Sequence, residues 1–340
     1  MPPSPGLVEH GGGRVAHAAR HGDAVGDDAL APASKHRGAS PWWRRVLAIA
    51  FIGLVLALVA RQLHGVDWPA VGAALRDYPV AALPWAFLLA ALSYALYASY
   101  ELIGRHLTGH GLTAARTLTI GATAYALNLN LGALVGSLGA RLRFYNRAGL
   151  PLAQATQVVG ASIVTNWIGY AALAGAVLGA RPPALPPDWG LEAWHLRLLG
   201  GVLLAVAIAY PLACRAWPAR RWRWRGHEMV TPSARVALVQ IALAAANWAV
   251  MAALVWLALQ RQIDFASVAT VLLFAAVAGA LTHVPGGLGV VESVCLALLS
   301  HRLDAPQLLA GLVVYRFVYY LVPLALAGVV AIYLERHGRR

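Results

Sequence analysis

The sequence predicts an all-α polytopic membrane protein with about six spanning helices plus two oppositely oriented, glycine-broken re-entrant hairpins, the alternative being eight plain spans. Three observations carry that prediction. Hydrophobic residues make up 59% of the 340 residues and charged residues only 12%, about half the charged share of ordinary soluble domains. Uncharged runs cover residues 46–60, 78–100, 117–140, 148–180, 198–214, 236–260 and 265–291, and most reach the roughly 17 to 25 residues that a helix needs to cross hydrocarbon. Two of those runs are interrupted by residues that break helices. A soluble core cannot hide so much apolar surface, so soluble hydrolases, dinucleotide-binding enzymes and nucleic-acid readers are excluded as leading readings.

Residues 1–40 are predicted to be a disordered cytosolic tail, and residues 41–340 a single transmembrane helical domain. The tail is rich in Gly, Pro, Ala, Ser and His, shows no apolar periodicity, and lacks the hydrophobic core of a signal peptide. His10, His17, His21 and His36 have no regular ligand spacing, and Cys214 and Cys295 each sit inside apolar runs. No metal site, disulfide or cofactor is therefore expected. The net charge of +13 comes from 27 basic residues, all but one of them arginine, against 14 acids. That balance suits the anionic cytoplasmic face of a bilayer and needs no acidic soluble partner.

Spanning helices are expected near residues 45–62, 79–101, 153–178, 196–215, 235–259 and 306–334. The first is short, about 22 Å over its uncharged stretch, so Arg45 and Arg61 have to snorkel. The distribution of arginines then chooses the threading. With Arg44 and Arg45 inside and every apolar segment crossing, flanking arginines divide ten inside against twelve outside. With residues 117–140 and 265–301 each entering and leaving on one side, sixteen lie inside, Arg105, Arg143, Arg223 and Arg336 among them. Only Arg61, Arg76, Arg181, Arg197, Arg261 and Arg302 then lie outside. Both termini are cytosolic in this threading.

The same two segments carry the breakers. Residues 125–140 read YALNLNLGALVGSLGA, with Asn128, Asn130, Gly132, Gly136 and Gly139 interrupting the apolar text. Residues 282–292 read THVPGGLGVVE, where Pro285 removes a backbone donor and Gly286, Gly287 and Gly289 free the chain to bend. Non-helical backbone at membrane depth survives only under a cover of protein or in a wet cavity. One hairpin opens from each side, an arrangement that resembles the paired discontinuous helices of transporters with inverted repeats. Asn166-Trp167 and Asn247-Trp248, each in the middle of a span, form a weak internal echo.

Several residues could carry chemistry. Glu292 reads as the acid placed well inside an apolar stretch, just past the Pro-Gly-Gly break. It is either a substrate or proton site or a helix-start residue that satisfies free N–H groups. Arg316 lies about 16 Å into the final span and needs an anion there, either Glu292 or the phosphate of a lipid. Tyr315, Tyr319 and Tyr320 add hydroxyls and rings to its surroundings. His283 is either a proton shuttle or a partner for freed carbonyls. Arg141, Arg143 and Arg147 either meet phosphate headgroups or simply anchor the topology. The stretch RRWRWRGH, residues 220–227, reads as an interfacial anchor rather than a single-strand binder. No nucleophile or metal constellation is present in the sequence, so an enzyme is not expected.

The segments GSLGARLRFYNRAGLP (136–151), TNWIGY (165–170), NWAVM (247–251) and THVPGGLGVVE (282–292), in that order, resemble the YbhN-like bacterial inner-membrane proteins. These are similar in turn to the transmembrane flippase region of lysylphosphatidylglycerol synthases. The resemblance spans about residues 45–335 and implies a lipid-handling protein of the inner membrane. It differs from the aminoacyl-lipid relatives, which carry a soluble transferase after the membrane region, so synthesis of that lipid is not expected. The reading that follows is a flippase or transporter of an anionic phospholipid. Arg316, Glu292, His283, Gly286, Gly287, Gly289, Asn128, Asn130, Arg141, Arg143 and Tyr319 are its candidate substrate-binding residues. A non-transporting scaffold or regulator of a lipid-synthesis enzyme is the alternative.

Overall fold

A computed structural model describes residues 67–132, 136, 138–183, 190, 192–217, 221–224, 227–282 and 284–336. The expected tail, its histidines, the first span at 45–62 and His283 lie outside the described residues. Among the described residues eleven α-helices follow in order: α1 Trp68–Arg76, α2 Leu83–Thr108, α3 Ala114–Leu131, α4 Ala140–Arg147, α5 Leu152–Ala180, α6 Ala193–Ala216, α7 Ala234–Ala258, α8 Phe265–Thr282, α9 Val290–Leu299, α10 Ala305–Arg316 and α11 Val322–Arg336. Local chemistry sets many of the ends. Asp67, Thr113 and Ser233 accept from Ala70, Arg116 and Val236 N–H groups at the starts of α1, α3 and α7. Gly109 closes α2 with a left-handed φ of 64°.

Among the described residues six stretches are long and apolar enough to cross a membrane: Val80–Thr108, Leu152–Ala180, Ala193–Ala216, Ala234–Ala258, Phe265–Thr282 and Ala305–Arg336. Five of them coincide with expected spans. Phe265–Thr282 is instead the first arm of the second expected hairpin. The helix that follows, α9, is about 15 Å long and packs on α8.

Helix α2 runs seven residues beyond the expected 101, because Glu101 is buried within the helix and does not end it. Two short stretches near the predicted interfacial anchor are extended rather than helical. Arg221–Trp224 and His227–Val230 pair as a small antiparallel ribbon between α6 and α7. Its alternation of arginine and tryptophan is the period of a strand.

Helices α2, α5 and α7 pack against one another at the centre, with α6 outside α5 and α7. In hydrocarbon no water drives helices together, so close approach and polar contacts must. Gly169 of α5 lies so near α7 that a Cβ there would come within 2.1 Å of Ala244. Gln240 bridges three helices, donating to Thr165 Oγ1 at 2.8 Å and accepting from Tyr210 OH at 2.7 Å. The two Asn-Trp pairs face each other, with Trp248 Nε1 donating to Asn166 O. Cys214 and Cys295 are buried free thiols.

Candidate functional site

The two helix breaks meet. The Pro285–Gly287 turn packs against the end of α3, where a Cβ on Gly286 would lie 3.4 Å from Leu129 O and 3.6 Å from Asn130 O. Gly286 has a φ of 67°, a left-handed conformation that costs other residues energy. In the first break Gly136 is pressed onto the α3 backbone, with room for no side chain: a Cβ would fall 2.2 Å from Leu127 O. Asn130 Nδ2 donates to Ala126 O at 2.8 Å and reaches across to Tyr320 O at 3.3 Å. Asn128 contributes its backbone, its carbonyl accepting from Gly132 N at 2.9 Å where α3 ends.

Arg316 clamps the second break. Its Nη1 donates to Gly286 O and its Nη2 to Gly287 O, both at 2.9 Å. The Nε and Nη2 groups grip both oxygens of Glu292 as a fork. Glu292 Oε2 also accepts from Gly289 N at 2.9 Å, closing the start of α9. The guanidinium lies 4.9 Å from the Tyr320 ring centroid. Arginine and glutamate side chains are 15% and 14% exposed, so the pair is sheltered but not sealed.

Arg316 ends α10 where the chain widens into a π turn, Phe317–Leu321. Pro323, lacking an N–H, cannot bond Tyr319 O in α-helical fashion. Tyr94 OH donates to that freed carbonyl at 3.1 Å. The Tyr319 side chain turns inward to a buried network. Its hydroxyl lies 2.6 Å from Ser93 Oγ and 2.8 Å from Tyr125 OH, and Ser93 donates to Asn247 Oδ1 at 2.6 Å. Tyr125 stacks on Tyr97 at 3.6 Å between ring centroids, and Tyr97 lies beneath the Arg141 guanidinium at 5.4 Å. A line of tyrosines thus joins Arg316 to a second buried cation.

That second cluster contains an acid which sequence reasoning missed. Glu101 of α2 is wholly buried, so Glu292 is not alone among the acids inside apolar text. Tyr145 OH donates to Glu101 Oε2 at 2.7 Å, Ser162 Oγ donates to Oε1 at 2.9 Å, and Arg141 Nε is 3.2 Å from Oε1. Gly121 of α3 makes the room, since a Cβ there would meet Glu101 Cγ at 2.6 Å. The signal was available: Glu101 is followed by Leu-Ile-Gly and lies on the face that also carries Tyr97 and Ala98. Arg143 pairs at the surface with Glu335 of α11, as does Arg147 at 3.5 Å.

An apolar groove of about 290 Å³ runs between α2, α3 and α11 and is bordered by Phe87, Tyr94, Thr123, Val322 and Leu326. Among the described residues no group of three potential metal ligands occurs.

Comparison with known proteins places the sequence in a family of membrane proteins. The family model described as the lysylphosphatidylglycerol synthase TM region matches residues 45–327. The inner membrane protein YbhN of Escherichia coli is 36% identical over 304 residues, covering 88% of this chain and 96% of that protein. An uncharacterized protein of Synechocystis is 28% identical over 298 residues, covering 84% of this chain and 92% of that protein. With six apolar helices and an inner-membrane relative, the chain is a multi-pass inner membrane protein, and it belongs to the lysylphosphatidylglycerol synthase transmembrane-region family.

Proposed function

We propose that this protein moves an anionic phospholipid, or a related lipid, between leaflets. The observation that carries the reading is the contact of two helix breaks, Gly286 against the carbonyls of Leu129 and Asn130, beside an arginine–glutamate clamp. Broken helices that meet inside a bundle offer unpaired backbone groups and mobile half-helices, which is how transporters build sites at mid-depth. In this reading both broken segments are re-entrant, from opposite faces, and both termini are cytosolic. Release of the Arg316 clamp opens the gap between the breaks, a phosphate headgroup passes along the polar interior, and acyl chains stay in hydrocarbon or in the groove beside Tyr94.

The test is transbilayer movement of a headgroup-labelled phospholipid in vesicles that contain the purified protein. Movement faster than in protein-free vesicles, and lost in a Gly286→Val variant that reconstitutes equally well, is the expected result. Movement at the protein-free rate rejects the reading.

One observation favours a second reading. All three nitrogens of Arg316 already donate to protein acceptors, as expected of a residue that only pins a turn. A scaffold or regulator of a lipid-synthesis enzyme would leave transbilayer movement unchanged.

A further inference from the structure

We propose that Arg141 is an oxyanion-binding residue whose guanidinium receives a phosphate group in the interior between α2, α4 and α5. The inference deepens the transport reading and rests on it only for the source of the phosphate. It starts from a contrast between two arginines. Arg316 is satisfied by Glu292 and two carbonyls. Arg141 is more deeply buried, with a side chain at 0% exposure, yet its Nη1 and Nη2 have no acceptor. Its Nε is 3.2 Å from Glu101 Oε1 but out of line for a hydrogen bond.

Glu101 cannot turn to fill that need, because Tyr145 and Ser162 hold its two oxygens. The Tyr97 ring lies beneath the guanidinium at 5.4 Å and steadies its charge. Buried arginine donors are strongly disfavoured without partners. The free edge of a guanidinium, two parallel N–H groups in a plane, is the shape that accepts two phosphate oxygens at once. A second unpartnered group borders the cluster. His110 is buried with both ring nitrogens unbonded, and its ring lies 6.0 Å from that of Tyr145.

The proposed route is movement of α4, the helix that carries Arg141 itself. This helix has only eight residues, follows the glycine-rich break, and is tied to α11 by the surface pairs of Arg143 and Arg147 with Glu335. In the proposal α4 swings outward with Arg141 on it, bringing the guanidinium to the phosphate without unfolding a span. A lipid headgroup and free phosphate share the required chemistry.

The experiment uses the full chain in an uncharged detergent. Inorganic phosphate, a short-chain phosphatidylglycerol and the matching phosphate-free diacylglycerol are each titrated, and Kd is read from the shift in thermal unfolding. Phosphatidylglycerol is expected to bind and diacylglycerol not to. The charge-neutral variant Glu101→Gln with Arg141→Gln is expected to weaken binding about tenfold or more. Arg141→Lys keeps the charge but loses the two-pronged donor edge, and its Kd should weaken too. That variant decides the matter where the neutral pair fails to fold. Binding of inorganic phosphate that displaces the lipid identifies free phosphate as a ligand, whereas binding of the lipid alone identifies the headgroup. An unchanged Kd in both variants, or no binding of either phosphate probe by the native protein, overturns the proposal. Binding through Arg141 without any transbilayer movement rejects transport and leaves the site standing.

Discussion

Arg316 Nη1 donates to the carbonyl of Gly286 at 2.9 Å, so the cation in the middle of the last span holds the backbone of the second helix break. A turn without regular backbone pairing is thereby given its acceptors' partners by a side chain 30 residues away. The clamp is completed by Glu292, which neutralises the arginine and caps α9 through Gly289 N.

Removing either charge of this pair leaves the other sheltered and unpaired. Glu292→Gln and Arg316→Gln alone should each cost about 3 kcal/mol or somewhat less, since the pair is partly exposed, while the double variant should recover much of that loss. Unfolding of purified protein in detergent measures all three. Full lipid movement by a stable double variant would remove the charges of Arg316 and Glu292 from any transport mechanism.

Glycine substitutions should separate sharply. Gly286→Ala must hold a left-handed φ, costing about 1 to 2 kcal/mol, and its methyl meets Leu129 O at 3.4 Å. Gly136→Ala should be worse, because its Cβ would overlap Leu127 backbone and force the break to shift. Gly279→Ala, in α8 with nothing within 4 Å, should be neutral or stabilising by up to about 1 kcal/mol. Thermal midpoints of the three variants, measured side by side, test the ranking.

The threading is open to cysteine labelling. In a Cys214→Ala, Cys295→Ala background, single cysteines at positions 143 and 223 should react with an impermeant reagent only from the cytosol. One at position 261 should react only from outside. Labelling of both 143 and 223 from outside would reject a re-entrant first hairpin in favour of the simple threading, and labelling from opposite sides would reject both threadings.

Asp264 precedes α8 and gives a pH-dependent contribution. Burial pushes its carboxyl up, but Ser267 N–H and Oγ and the Arg302 guanidinium outweigh it and leave the folded pKa below the ordinary value of 3.8. A depressed folded pKa stabilises the protein above the unfolded value, and that stability disappears as pH falls through the folded pKa. The Asp264→Asn variant should therefore lose no more than about 1 kcal/mol at neutral pH and show a smaller loss of stability below pH 3.8 than the native chain. Unfolding curves between neutral and acid pH measure the difference.

The sequence by itself determined that the chain is a helical multi-pass membrane protein, where its long apolar segments run and where its glycine breaks fall. Those properties are local: run length, charge spacing and the conformational freedom of Pro285-Gly286-Gly287 can be read along the chain. The motifs from Gly136 to Pro151 and from Thr282 to Glu292 likewise revealed the family without any knowledge of packing. The ribbon at Arg221–Trp224 was legible too, through its two-residue alternation, but was read as a plain anchor.

Tertiary structure decided which polar groups share the interior. Arg316 had two candidate partners in sequence, and the packing of α10 against the second break brought Glu292 to it. Glu101 looked like the end of a span because a charge interrupts an apolar run. Only the assembly of α2, α3, α4 and α5 shows that Gly121 makes space for its carboxylate and that Arg141 lies beside it. Ser93 and Tyr319 are 226 residues apart, yet their hydroxyl oxygens share a hydrogen bond at 2.6 Å. Periodicity says which face of a helix is apolar, but in a bilayer nearly every face is, so the buried face is fixed by close packing and by which polar side chains find partners there.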